Sequence, residues 1–508
     1  MSPQGSTAVA ADMLQNYVDG AWTPAASKRA LDVTNPATGE TLAHVPLSNA
    51  GDVEAAVAAA RRAFPGWRST PVIQRAQAMF DLRAKMVAAA DELALSITTE
   101  MGKTLVDARA EVGRAIEMVE SATAVPMTMQ GRVLEDVAGN VDCETVRQPV
   151  GVCAAIVPFN FPAMVPFWFL PFALACGNTF VIKPSEQVPT TLTKIFELID
   201  ELDLPPGVVN LVNGDVEVAN ALIDSPEVDA VSFVGSAPVA REVYRRSAAN
   251  GKRVQALGGA KNFMVVLDDA HVTHTVRGVI GSAFGAAGQR CMAGSVLLTV
   301  GDAHYRVVQA LCDAALQLSV GDGTDEGVDV GPVISAQARE RIEGCIERAV
   351  EEGADILVDG RGSGAGSFVG PTILDNVTPD MAIAQEEVFG PVLCVMRAKS
   401  LEDAIGKINA SPYGNGTSLF TESAPAVRRF RHDVEVGMIG VNIGVAAPVA
   451  FFPFSGWKGS FMGDLHAHGT DAIDFYTRKK TVTSRFFTGQ ASGAFFTETA
   501  TTDVEEEK

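Results

Sequence analysis

The run Gly285-Ala286-Ala287-Gly288-Gln289-Arg290-Cys291 ends a stretch of small residues on a cysteine. A thiolate is a nucleophile, and a partly exposed cysteine beside the N–H groups of a loop or helix start has a lowered pKa. Upstream, Pro158-Phe159-Asn160-Phe161-Pro162 carries one polar side chain, Asn160. Its amide can donate to a developing oxyanion, or it can satisfy its own turn. Lys183-Pro184-Ser185-Glu186 brings a cation and a carboxylate three residues apart, either as a solvated pair or as two ligand contacts. Phe233-Val234-Gly235-Ser236 ends an apolar run where a helix begins, and Glu386-Glu387-Val388-Phe389-Gly390-Pro391 adds a carboxylate and an aromatic ring. Arg290 precedes Cys291, and Arg114 has Glu111 and Glu117 three residues to either side. An arginine fork matches a carboxylate, while helix pairing is an equal use for Arg114.

Other patterns fail. Gly102-Lys103-Thr104 lacks the first glycine of a phosphate loop, which would fall at Ile97, so a helix C-cap is expected. There is no GxGxxG after a strand. His271 and His274, and His466 and His468, have no cysteine or third ligand at metal spacing, so they read as surface histidines and no metal site is expected.

The elements that must position these residues follow from periodicity. Asp52 opens a helix over 53–64, and Thr70-Pro71 opens another reaching about residue 90. Further helices cover 92–100 and 104–123, so the N-terminal part reads as helical after a short polar lead. Gly139-Asn140 within 131–149 signals a hairpin. Beyond it the chain alternates, with apolar strands at 153–157, 179–182, 208–211, 230–234 and 264–267. A second alternating series runs over 270–441, and 360–367 is a glycine-rich surface loop. The class is α/β with doubly wound parallel sheets. The uncharged stretch 151–182 is broken by Pro158, Pro162, Pro166 and Pro171, so it is not a membrane span.

With 508 residues the chain has material for several domains. Lys+Arg of 40 against Asp+Glu of 61 gives a net charge of −21, which argues against nucleic-acid or anionic-membrane surfaces. Seven scattered cysteines and no secretory leader favour free thiols in a reducing cytoplasm.

Taken together and in order, the segments at 158–162, 183–186, 233–236, 285–291 and 386–391 resemble the aldehyde dehydrogenase superfamily. They are most similar to its CoA-acylating branch, the methylmalonate-semialdehyde dehydrogenases, through 160–168, 176–186, 285–293, 414–417 and 460–464. The resemblance implies two doubly wound α/β domains and a small β oligomerisation element. An NAD-binding domain would comprise 12–124 and 150–258, and a catalytic domain 259–465. A hairpin over 125–149 and a segment over 466–490 would mediate a homodimer or homotetramer, with a flexible acidic tail at 491–508. It also implies Cys291 as nucleophile and Asn160, with the Cys291 N–H, as oxyanion donor. Lys183, Glu186, Ser236, Glu387, Phe389, Phe159 and Trp168 would surround NAD, and Arg114 and Arg290 would hold the carboxylate of a small anionic aldehyde. A carboxylate near the ribose 2′-hydroxyl would repel a 2′-phosphate, hence NAD over NADP.

One departure matters. Hydrolytic relatives carry Glu-Leu-Gly-Gly-Lys, whose Glu activates water, whereas this chain reads Gln255-Ala256-Leu257-Gly258-Gly259-Ala260-Lys261. The Glu position is Leu257 when aligned on Lys261 and Ala256 when aligned on Leu-Gly-Gly. Neither takes a proton, which disfavours water and favours CoA as acyl acceptor. The alternative is a hydrolytic enzyme using another carboxylate. Phe263 stands where the branch often has His.

Overall fold

The computed structural model describes residues 12–487. One compact unit comprises the chain up to Met129 together with Pro149–Arg478, and a second comprises Gln130–Gln148 with the chain from Lys479.

The first sheet of the larger unit is built on β1 (Val152–Ile156), β2 (Thr179–Lys183), β3 (Val209–Leu211), β4 (Ala230–Gly235) and β5 (Arg253–Gly258). Every residue of β1 and β2 is buried, because helices cover both faces, and this is why they read as unbroken apolar runs. Spatial order is β5-β4-β1-β2-β3, with every neighbouring pair parallel. Read from β3, that is the 3-2-1-4-5 order of dinucleotide-binding sheets, with its reversal between β1 and β4. Phe461–Met462 extends one edge antiparallel, and Asn16–Val18 with Ala21–Thr23 extends the other.

The second sheet contains β6 (Asn262–Val266), β7 (Gly294–Val300), β8 (Thr372–Asp375), β9 (Val392–Ala398), β10 (Gly416–Phe420) and β11 (Met438–Val441). Their order is β8-β9-β7-β6-β10-β11, all parallel, with Asp355–Val358 antiparallel at one edge. The doubly wound α/β expectation therefore holds.

Ahead of both sets of parallel strands in the chain lies α1 (Leu105–Ala122), capped by Thr104, whose side chain accepts from the Asp107 N–H. Gly102 ends the preceding helix, Ala90–Met101, at φ 95°, so Gly102-Lys103-Thr104 is a stop and a start, as expected.

The N-terminal part differs from its expectation. Before any helix, the described chain forms five short strands between Asp12 and Pro46. Asp19 and Gly20, at φ 56° and 77°, make the tight hairpin between two of them, a turn signal that outweighs the weak helical periodicity. The first helix, Ala50–Ser69, is capped by Asn49, with Asp52 completing a capping box. Thr70 closes that helix instead of opening the next, Val72–Ala88.

In the smaller unit, Arg132–Ala138 pairs antiparallel with Val141–Pro149, and Thr477–Arg485 lies on the other side of Val141–Pro149. Residues 466–478, expected in the β element, lie in the larger unit, where Gly469–Phe475 is helical and Tyr476 is fully buried. The expected tail at 491–508 lies outside the described residues.

Candidate active site

The carboxyl ends of β1 and β4 converge with the amino ends of β6, β7, β9 and β10. A cavity of about 460 Å³ opens there. Phe159 and Asn160 follow β1, Ser236 follows β4, and Cys291, Glu387, Phe389 and Asn415 precede β7, β9 and β10. On the first sheet this is the crevice at the strand-order reversal, where such sheets bind ligands. Ser236 also starts a helix, Ala237–Ala249, and makes no side-chain cap bond, so N–H groups at that helix start face an available space. Gly258 packs so closely there that a Cβ would meet Ala240 at 2.6 Å.

A second cavity of about 150 Å³ shares Cys291, Phe161, Trp168 and Phe454 with the first. Arg114, Arg290 and His468 line it, as do Val445, Ala447 and Pro448. The cysteine thus stands between a large and a small chamber. Trp168, expected at the cofactor, is part of the shared wall and packs on Phe454 with ring centroids 4.5 Å apart.

The loop bearing Cys291 is held in an unusual shape. Ala286 and Ala287 sit at φ 50° and 51°, left-handed for residues with a Cβ, at roughly 1–2 kcal/mol each. Gly288, at φ 69°, lies so near the Gly390 carbonyl that no Cβ would fit. Asp107 accepts from the Ala286 N–H at 2.9 Å. Asn262 and Asn415 each donate to the Cys291 carbonyl at 2.8 Å. No helix begins at Cys291; a turn leads straight into β7. The lowered thiol pKa expected from the sequence is not found. Burial and the Glu387 carboxylate push the thiol up to about 12, against a weaker pull from the Cys291 and Met292 N–H groups and from Arg290. Burial likewise raises Glu387 to about 7, opposed by the Ala260 N–H, Lys261 and Arg341.

Asn160 is buried and donates to the Gln289 carbonyl at 3.0 Å, which commits one of its two N–H protons. Its own carbonyl accepts from Lys103 Nζ at 2.7 Å, and Lys103 pairs with Glu111 at 2.6 Å, both side chains fully buried. Glu111 also accepts from the N–H groups of Ala163 and Met164 at 2.8 and 3.1 Å. Lys103, Asp107, Glu111, Asn262, Asn415 and Arg341 were not singled out for the site by sequence reasoning. Their spacing has no motif, and only the cap at Thr104 hinted at the start of α1.

Phe159 and Phe389 meet edge to face at 5.8 Å. Lys183 donates to Glu186 at 2.8 Å and to the Pro184 carbonyl at 2.9 Å. This pair stands beside the cavity, and Ser185 between them lines it. Arg290 caps carbonyls at the end of the helix Val272–Phe284, donating to Gly281 and Ser282. Arg114 donates to Glu117 and to the Pro448 carbonyl, so it both pairs on its helix and borders the small chamber. His466 is half-buried on Asp471, while His468 is 1% exposed. The surface reading of His468 is therefore wrong: its ring fills space beside Trp168, a contact no local pattern encodes. Among the described residues no cluster of potential metal ligands is present.

Leu257 faces the large cavity, whereas Ala256 packs among the apolar residues on the sheet's other side. Strand alternation thus assigns Leu257 to the cavity wall. Phe263 lies in the core of the second sheet.

A sequence model of the aldehyde dehydrogenase family matches residues 22–482. Malonate-semialdehyde dehydrogenase 1 of Geobacillus kaustophilus (strain HTA426) is 50% identical over 478 residues, covering 93% of this chain and 98% of that protein. The crystal structure of methylmalonate-semialdehyde dehydrogenase from Oceanimonas doudoroffii superposes with a TM-score of 0.93 at 46% identity, covering 94% of this chain and 99% of that one. A Sinorhizobium meliloti 1021 protein crystallised with NAD gives 0.92 at 41% identity, covering 94% and 98%.

Proposed function

Because the chain belongs to the aldehyde dehydrogenase family, we propose that it oxidises malonate or methylmalonate semialdehyde with NAD and passes the acyl group from Cys291 to CoA. The observation that carries this reading is the position of Cys291 between two chambers, one at a dinucleotide-type sheet reversal and one bordered by two arginines.

The large chamber fits NAD: it has a helix start for the pyrophosphate, Lys183 and Glu186 at its margin for the adenosine ribose, and Glu387 with Phe389 for the nicotinamide end. Bound there, NAD supplies the hydride acceptor and a positive charge beside the thiol. Cys291 Sγ, once deprotonated, attacks the aldehyde carbon, and the second N–H of Asn160 with the Cys291 backbone N–H stabilises the oxyanion. A donor of this kind contributes roughly 3–4 kcal/mol at the transition state. Loss of hydride from that carbon leaves a thioester on Sγ. Arg114 and Arg290 hold the substrate carboxylate, offsetting the protein's net charge of −21. That carboxylate stands beta to the thioester carbonyl. Its departure as CO2 leaves the electron pair in an enolate, which a proton quenches. The CoA thiol then attacks the thioester and Cys291 leaves as thiolate.

Leu257 on the cavity wall offers no base for water, which supports thiol transfer. The alternative is hydrolysis assisted by Glu387, favoured by its pKa near 7. NADH formation from malonate semialdehyde with and without CoA, followed by mass spectrometry, separates them. CoA-dependent turnover yielding acetyl-CoA is expected. Equal turnover to a free acid without CoA overturns acyl transfer in favour of hydrolysis, and loss of that turnover in Glu387→Gln would then assign the base role to Glu387.

The exposed edge strand Arg132–Ala138, with Val133, Leu134 and Val137 in solvent, supports homo-oligomer formation as a dimer or tetramer. Free cysteines throughout the described residues suit a reducing cytoplasm.

A further inference from the structure

Two asparagine amides meet at the backbone of the loop that carries Cys291. Asn262 begins β6, and Asn415 immediately precedes β10, the neighbouring strand in the sheet. Each side chain donates to the Cys291 carbonyl at 2.8 Å. The two are tied together, because the Gly416 N–H donates to the Asn262 side-chain oxygen at 3.1 Å. Asn262 Nδ2 also donates to the Ala293 carbonyl at 2.9 Å, and the Ala293 N–H donates to the Arg290 carbonyl at 3.0 Å. The turn from Arg290 to Ala293 is thereby clamped by side chains from two other strands.

One donor satisfies a buried carbonyl, whereas here two amides occupy the same oxygen. Asn415 is buried in the wall of the large cavity, where an apolar side chain of that size would meet the needs of packing alone. The clamped carbonyl belongs to the planar Cys291–Met292 peptide, whose other end is the Met292 N–H. That N–H, the Cys291 N–H and the Arg290 charge favour an ionised Sγ, against burial and the Glu387 carboxylate. A hydrogen bond accepted at the C=O end of a peptide strengthens donation at its N–H end, by about 10–30% per bond. A dipole fixed in this way needs no reorganisation when charge develops on sulfur.

We propose that Asn262 and Asn415 are positioning residues for the nucleophile, acting through the Cys291–Met292 peptide. They fix its plane and polarise it, so that the Met292 N–H donates more strongly to Sγ when the thiolate forms and again when it leaves. This rests on the reading of Cys291 as the nucleophile.

The test measures alkylation of Cys291 by iodoacetamide and by the bulkier N-ethylmaleimide from about pH 7 to 9. Asn415→Leu keeps the volume and removes a donor without adding charge, leaving Glu387 and Arg290 in place. It should slow both reagents about threefold at every pH. Asn415→Gln retains an amide at the cavity wall and should stay nearer the wild type. Asn262→Ser deletes the other donor, should slow both reagents in the same way, and carries the comparison should Asn415→Leu not fold. Coincident curves for wild type and donor-deleted variants overturn the proposal. So does slowing with one reagent only, which reports altered access to sulfur and not a weaker donor. Asn415→Gln as slow as Asn415→Leu also counts against it. Cys291→Ala is assayed in parallel for NADH formation from malonate semialdehyde. Full turnover there overturns the reading of Cys291 as nucleophile, and the proposal with it. An inactive Cys291→Ala with unmoved alkylation in the asparagine variants overturns the clamp alone.

Discussion

At Cys291 two forces oppose ionisation, the loss of solvent around Sγ and the nearby Glu387 carboxylate, and together they hold the thiol at about 12. The protein without cofactor therefore carries a guarded thiol. Alkylation of Cys291 by iodoacetamide, followed by peptide mapping, should rise about tenfold per pH unit through pH 9 and beyond, without a plateau at the ordinary thiol pKa. Glu387 itself titrates near 7, so its repulsion is present above that pH and absent below it. Glu387→Gln removes a charge that raises the thiol pKa. The thiolate fraction at pH 8 should then increase and alkylation should accelerate severalfold. A rate that levels off below pH 9 in the wild type, or is unmoved by Glu387→Gln, contradicts this electrostatic picture.

Among the elements, α1 does more than cover a sheet. Lys103, just before its Thr104 cap, and its own Glu111 form a buried ion pair that fixes the Asn160 carbonyl and the N–H groups of Ala163 and Met164. Lys103 Nζ also lies 4.0 Å over the Phe161 ring. Lys103→Met would leave Glu111 as an uncompensated buried charge, a cost of about 3–5 kcal/mol. A clear drop in thermal midpoint is expected, along with a loss in kcat as the Asn160 loop is released. Adding Glu111→Gln removes the charge but keeps an acceptor for the two N–H groups, so part of the stability should return. An unchanged midpoint in Lys103→Met would mean that other contacts hold the loop. The failed phosphate-loop pattern was thus read correctly as a helix stop, yet nothing local showed that Lys103 turns inward. Its partner Asn160 lies 57 residues away.

At the scale of the whole molecule, the smaller unit presents Arg132–Ala138 as an edge strand with every residue exposed. Val133 and Leu134 are 67% and 65% exposed, apolar groups on unpaired backbone, which is a template for pairing between copies. Light scattering after size exclusion should give a dimer or tetramer for the wild type. Leu134→Glu, which adds charge to a strand already on a protein of net charge −21, should shift the mass to a smaller species. A monomeric wild type, or a variant of unchanged mass, removes this strand from the assembly.

The sequence by itself determined what depends on near neighbours. Unbroken apolar runs specify parallel strands buried on both faces, Gly102 and Thr104 mark a helix end and a helix start, and Gly139-Asn140 marks a hairpin. The Gly285–Cys291 and Glu386–Pro391 segments also identified the family, since their order along the chain is itself information. Tertiary structure decided the rest. It turned Leu257 and not Ala256 toward the cavity, because β5 packs between β4 and Phe461–Met462 and its alternation fixes the faces. It buried His468 and Lys103, spent part of Arg290 on backbone carbonyls, and raised the Cys291 thiol instead of lowering it. A dinucleotide-type strand order also emerged without its glycine fingerprint. Each of these outcomes depends on which distant residues exclude water from a side chain, and desolvation is a property of the packed assembly rather than of any local pattern.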